Sequence, residues 1–149
     1  MIEKSKKSAA RSKNKSGRKE PQPKLATSIE PWLNVRRGAC AIDFYKSAFG
    51  AIEVFRIGDE SSTVARLSID GAEFWLSDES PEHFNFSPES LGGTTIRMIL
   101  TVADPDAVFA RAIKAGAKEV YPVAEEHEWR IGRVVDPFGH HWEIGRPLA

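Results

Sequence analysis

Apolar and polar positions alternate with a period of two along most of this chain, and in two places the period changes to that of a helix. From Glu30 to Arg36 the residues alternate as a strand does. Between Gly38 and Phe49, the side chains Ala41, Phe44, Tyr45, Ala48 and Phe49 fall at i, i+3, i+4, i+7 and i+8, which is one helical face. Gly50 stands where a left-handed C-terminal cap is expected. Three strand-like stretches follow, at about 51–57, 62–69 and 72–77, with Asp70-Gly71 as a tight hairpin turn between the last two. Residues 78–93 have no clean period and many turn formers, and read as a crossover or a lid.

The order then recurs. Residues 94–102 alternate as a strand, and Asp104-Pro105-Asp106 supplies an N-cap, a first-turn proline and an acid at the positive end of a helix dipole. That helix runs to about Ala115 and closes at Gly116. Strands are expected at about 118–123, 130–135 and 140–145, with Asp136-Pro137-Phe138-Gly139 as the last turn. Gly50-Ala51-Ile52-Glu53-Val54-Phe55 matches Gly116-Ala117-Lys118-Glu119-Val120-Tyr121 66 residues later, and Arg66 and Arg133 precede the last turn of each half. Two copies at this spacing do not make a solenoid. The expected fold is α+β: two βαβββ modules, about 29–77 and 94–147, forming a curved mixed sheet or half-barrel around a central cavity.

Composition changes this picture at one end only. Apolar residues make up 41% and charged residues 28% of 149 residues, as in one ordinary globular domain. Residues 1–28 carry nine basic and two acidic side chains, a net of +7, and the rest of the chain is −7. So basic and apolar-poor a segment is expected to be a disordered tail, either solubilising or in weak contact with nucleic acid. It has no aromatic residue on which a base would stack. The first residues hold no apolar core, so no secretory signal is expected, and no apolar run suggests a membrane span. One cysteine, Cys40, forms neither an internal disulfide framework nor a cysteine-only zinc site, and a cytoplasmic location is expected. On the first helical turn it reads as structural.

Strand alternation sorts residues between a helix-packed face and a cavity face. On the last strand, His140, Trp142 and Ile144 fall on the helix side and His141 and Glu143 on the other. On the fourth, Phe74 and Leu76 oppose Glu73 and Trp75. The same rule puts Glu30, Trp32 and Asn34 toward the cavity, together with Thr95, Arg97, Ile99 and Thr101.

The segments AIDFYKSAFGAIEVF at 41–55, DPDAVFARAIKAGAKEVYP at 104–122 and RIGRVVDPFGHHWEI at 130–144 resemble the vicinal oxygen chelate superfamily, in order and spacing, over about 30–146. That superfamily includes glyoxalase I, bleomycin-resistance proteins and ring-cleaving dioxygenases, and the likeness is to its glyoxalase/bleomycin-resistance, PhnB-like group. The resemblance implies a homodimer that binds a small molecule. Its metal-dependent members hold an ion with four His or Glu ligands, two per half, and those positions carry over to Glu30, Trp75, Arg97 and Glu143. Trp75 has no lone pair for a metal and Arg97 is a donor only. A register two residues away on the fourth strand brings Glu73 in place of Trp75.

The resemblance therefore leads to a small-molecule-binding protein without the family's catalytic metal and without a cofactor. The alternatives are a metal-dependent isomerase, lyase or dioxygenase, and an antibiotic-sequestering protein. Glu143 is the candidate catalytic residue, as a general base, or else a carboxylate held in an ion pair by Arg97, which makes a poor base near neutral pH. Arg97 either holds Glu143 or Glu30, or receives an anionic group of the ligand. His141 and Glu143 are an i, i+2 pair able to chelate, and His140 reads as packed. Trp32 and Trp75 either clamp a flat ligand or fill the cavity. Deleting residues 1–28 is expected to leave the melting temperature unchanged by calorimetry. A fall of more than about 5 °C would show that the tail docks on the acidic remainder.

Overall fold

The computed structural model describes residues 17–149, so the first sixteen residues of the basic tail lie outside it. Residues 17–31 have no regular structure and are mostly exposed. The first module is β1 (Trp32–Val35), α1 (Gly38–Phe49), β2 (Ile52–Asp59), β3 (Ser62–Ile69) and β4 (Ala72–Asp78). After a crossover containing a 3-10 turn (Pro81–His83) and the short helix α2 (Pro88–Leu91), the second module repeats the order. It comprises β5 (Arg97–Thr101), α3 (Pro105–Ala115), β6 (Lys118–Glu126), β7 (Trp129–Val135) and β8 (His141–Pro147).

Each module is a four-stranded mixed sheet, ordered β1-β4-β3-β2 and β5-β8-β7-β6. The first strand of each pairs in parallel with the last, and the other pairs are antiparallel. The fold is thus the α+β repeat that the alternation implies. Strand ends differ from the sequence reading: β5 begins at Arg97, three residues late, because Thr94 bonds locally to Ile96. β2 and β6 run two and three residues further than expected, as hairpin arms.

Local chemistry accounts for the helices. α1 has no side-chain cap of its own; Asp78, at the end of β4, accepts from Gly38 N (2.9 Å) with one oxygen and from Thr63 N (2.7 Å) with the other. A Cβ at position 38 would lie 2.8 Å from Asp78 Oδ2, so glycine permits this approach. Gly50 ends α1 at φ 67°, a left-handed value that glycine adopts without strain. α3 is capped by Asp104, whose Oδ1 accepts from Ala107 N at 3.1 Å. The crossover is pinned at Glu79, which accepts from Ser87 N (2.7 Å) and from the Ser90 hydroxyl (2.7 Å).

The two modules meet through their helix-packed faces. Ala41, Phe44, Tyr45, Ala48 and Phe49 of α1 are buried together with Leu67, Phe74 and Leu76 of the first sheet and with Val134, Trp142 and Ile144 of the second. At the centre lies Asp136, which is 4% exposed. Its carboxylate accepts from the Tyr45 hydroxyl (2.5 Å), Trp142 Nε1 (2.9 Å), Phe138 N (2.9 Å) and His140 N (3.0 Å). His140 is itself packed, with Nε2 2.9 Å from the Asn34 carbonyl oxygen.

The half-barrel is open: among the described residues, two clefts on its concave side are lined by residues of the second module and the turn that leads into it. Period-two alternation says which residues share a face, and leaves open which faces meet.

Burial, and the negative charge of Asp136, push the Tyr45 hydroxyl well above its ordinary 10.0. Tyr45 therefore stays neutral in the fold at pH values where the unfolded chain ionises it. Its contribution is complete below about pH 10 and is lost as pH rises toward the folded value. Tyr45→Phe leaves Asp136 short of a donor, with an expected cost of about 1.5–3 kcal/mol. Thermal denaturation at neutral pH should register it, and the variant should show a smaller alkaline loss than wild type.

Candidate functional site

The first concave face gathers Glu30, Trp32, Asn34, Glu73, Trp75 and Ser77, because β1 and β4 are parallel with Trp32 opposite Trp75 and Asn34 opposite Ser77. Arg66, opposite Trp75 on β3, is its centre. Its guanidinium forks onto both oxygens of Glu30, with Nε 3.1 Å from Oε2, and its Nη2 also reaches Glu73. Trp75 Nε1 donates to Glu30 Oε2 at 2.7 Å. The Arg66 fork, aided by Trp75, holds the Glu30 carboxyl below its ordinary 4.5. Trp32 donates from Nε1 to the Ser77 hydroxyl at 2.9 Å, and that hydroxyl lies 3.4 Å from Asn34 Oδ1.

The two tryptophans stack on each other, 5.3 Å between centroids and 11° from parallel, which leaves no slot for a ring between them. They are not a clamp. Arg66 lies over Trp75 at 5.5 Å, and Trp32 is 51% exposed, so the open surface of the stack is the outer face of Trp32. Phe55 edges against Trp75 at 5.9 Å.

The second concave face is a cleft of about 600 Å³ walled by Ile99, Tyr121, Trp129 and Ile131. Its floor is Arg97, Arg133 and Glu143. Glu143 Oε1 sits between the two guanidiniums, 3.3 Å from Arg97 Nη1 and 3.2 Å from Arg133 Nη2. Arg133 also covers the Tyr121 ring at 5.5 Å. His141 stands opposite Arg97 in the parallel ladder. Burial first, and then the charge of Arg133, push its pKa below 6.5, so it is neutral at pH 7. Thr101 lies exposed at the end of β5, away from the cleft lining. Cys40 is exposed on α1.

The structure therefore divides the sequence-predicted residues into two sets, Glu30, Trp32, Asn34, Glu73 and Trp75 on one face and Arg97, His141 and Glu143 on the other. Among the described residues no side-chain hydrogen bond or ion pair joins the sets. Arg97 holds Glu143, not Glu30. Sequence reasoning gave no role to Arg66, Arg133, Phe55 or Tyr121. The signal lay in the repeat, where Arg66 and Arg133 recur 67 residues apart and Phe55 and Tyr121 recur 66 apart.

Two βαβββ modules with polar side chains on open concave faces define a protein of the vicinal oxygen chelate superfamily. Residues 33–145 match the glyoxalase-like domain, and the chain belongs to that family. An uncharacterized protein of Mycobacterium tuberculosis is 43% identical over 135 residues, covering 83% of this chain and 79% of that protein. The X-ray structure of an Arabidopsis thaliana gene product matches with a TM-score of 0.64 at 33% identity, over 80% of this chain and 98% of that one. TioX from Micromonospora sp. ML1 matches with a TM-score of 0.65 at 26% identity, over 83% and 100%. The fosfomycin resistance protein FosX from Listeria monocytogenes shares the fold, with a TM-score of 0.64 at 15% identity over 83% and 95%.

The residues to which the resemblance carries the superfamily's four ligand positions do not fit a divalent ion. Trp75 donates its only polar hydrogen to Glu30, Arg97 is cationic, and Glu30 and Glu143 are each held by guanidinium. Glu73, the alternative in a shifted register, is held by Arg66 as well. Removing the counter-ion tests this arrangement. In a carboxyl NMR titration, Glu30 should titrate below 4.5 in wild type and move up in Arg66→Gln. Because the folded pKa is depressed, the stability linked to Glu30 is present above the unfolded value and is lost as pH falls through the folded one.

Proposed function

We propose that this chain is a glyoxalase/bleomycin-resistance-like small-molecule-binding protein, acting in the cytoplasm, whose site is organised by guanidinium groups in place of the family's catalytic metal. The observation that carries this reading is the Glu143 carboxylate lying between Arg97 and Arg133 at the floor of an apolar-walled cleft of about 600 Å³. One Glu143 oxygen already faces both guanidiniums, and this reading therefore takes the floor as a binding surface rather than as the seat of a general base.

In the same reading the working unit is a homodimer. Trp32 and Ile57 on the first face, and Ile99 and Tyr121 on the second, are each more than half exposed, although they lie on sheet faces with matching strand order. A second copy that laid its first face over this chain's second face would cover them and close the cleft. Sedimentation of the purified protein should report a dimer, and Ile99→Asp should shift it toward monomer.

A second reading, sequestration of a flat compound such as an antibiotic, is favoured by the open outer face of Trp32. Protection of cells with no drug turnover would support it.

Native mass spectrometry of protein purified from its host, together with metal analysis, tests the main reading. The expected result is a bound organic molecule, no stoichiometric divalent ion and no turnover of the hemithioacetal of methylglyoxal and glutathione. A tightly held divalent ion at a site that includes Glu143 would overturn it.

A further inference from the structure

The two concave faces have equivalent backbones and opposite balances of charge. On the first, one guanidinium serves two carboxylates: Arg66 holds both Glu30 and Glu73. On the second, two guanidiniums share one carboxylate oxygen. The strand registers place Arg97 where the first face has Glu30, His141 where it has Glu73, and Arg133 where it has Arg66.

The result is a surplus of donors. Each guanidinium has five N–H groups. Among the described residues, Arg133 makes one side-chain hydrogen bond, from Nη2 to Glu143, and its buried Nε has no partner. Among the described residues, the Arg97 side chain touches Glu143 as an ion pair and makes no hydrogen bond. Its side chain is 58% exposed, so its fork faces open space. Both arginines also line a second hollow of about 430 Å³, bounded by residues 93–96 and His141. At this floor two guanidiniums meet one carboxylate, Glu143, while the cleft's other acid, Glu126, is exposed and lies 3.5 Å from His127 Nε2.

We propose that this floor is an oxyanion receptor. Arg97 and Arg133 take a carboxylate or phosphonate group of the ligand, and the ligand's apolar body lies along Ile99, Tyr121 and Trp129. The ligand class is an organic anion with a flat or aliphatic body. Planar forks match the geometry of a two-oxygen acceptor, which a point-charge lysine does not. The first face does not compete for the anion, since its guanidinium, Arg66, is already engaged by the carboxylates of Glu30 and Glu73. The proposal rests on the small-molecule-binding reading and narrows it to a ligand class.

Calorimetric titration of the intact protein with benzoate, phenylphosphonate and the neutral isostere benzamide tests it. Benzoate and phenylphosphonate should bind at least tenfold tighter than benzamide, and added salt should weaken the anions alone. Arg97→Gln should cost the anions at least tenfold and leave benzamide unchanged, and Arg97→Lys should recover part of the loss. Arg133→Gln should act in the same way. Because Arg133 is half-buried, with its Nε enclosed, and its variant is liable to misfold, the exposed Arg97 carries the test by itself.

Equal affinity for benzoate and benzamide would overturn the proposal. So would an Arg97→Gln variant that keeps its anion affinity and instead weakens self-association by sedimentation, because the guanidinium would then serve a second copy's carboxylate. A neutral or cationic molecule recovered from the cleft by native mass spectrometry would overturn the ligand class and leave the binding function standing. Recovery of a stoichiometric divalent ion there would remove both.

Discussion

A single buried carboxylate determines how the two halves of this molecule face each other. Asp136 lies in the turn between β7 and β8 of the second module, and one of its four donors, the Tyr45 hydroxyl, comes from the helix of the first. A buried charge is tolerated only when its lone pairs are met, so the turn, α1 and Trp142 must come to one point. The aromatic rings around it complete the constraint. Trp142 packs at 5.4 Å from Tyr45, 4.9 Å from Phe49 and 5.6 Å from Phe74. With the helix-packed faces joined in this way, both concave faces are turned outward.

On that frame one backbone plan carries two chemistries. Parallel pairing of the first and last strands recurs in both modules, and a bulge-like register shift recurs near Phe55 and Tyr121, on β2 and β6. What differs is the side chains. The first face is a closed ion-pair network beneath stacked tryptophans, with its acceptors and its guanidinium mutually satisfied. The second is an open cleft with donors left over. The four positions to which the family resemblance carries a metal site are here divided between the two, and a guanidinium occupies or contacts each charged one.

For the ligand proposed above, the consequence is a division of labour. The apolar wall of the second face offers area to a ligand, and the arginines offer direction. The first face offers a flat indole surface at Trp32. Charge sets orientation more sharply than area does, because an anion placed away from the forks leaves them unpaired, whereas apolar contact is tolerant of rotation.

Local pattern was enough to read the repeat, the two helices and the inward or outward direction of residues on β1, β4, β5 and β8. Phe74 and Leu76, and Trp142 and Ile144, are buried, while Glu73, Trp75, His141 and Glu143 lie on the other face. Helix and strand periods are properties of consecutive residues, so they survive in sequence. The pairing of Glu30 with Arg66 instead of Arg97, the mutual stacking of Trp32 and Trp75, and the outward turn of both concave faces were settled by tertiary structure. Each of these depends on strand register across a sheet, or on which of two sheet faces meets the other module. Register within the first sheet makes the first two choices, and the aromatic core with Asp136, acting across 91 residues of chain, makes the third; alternation along a strand carries no trace of them.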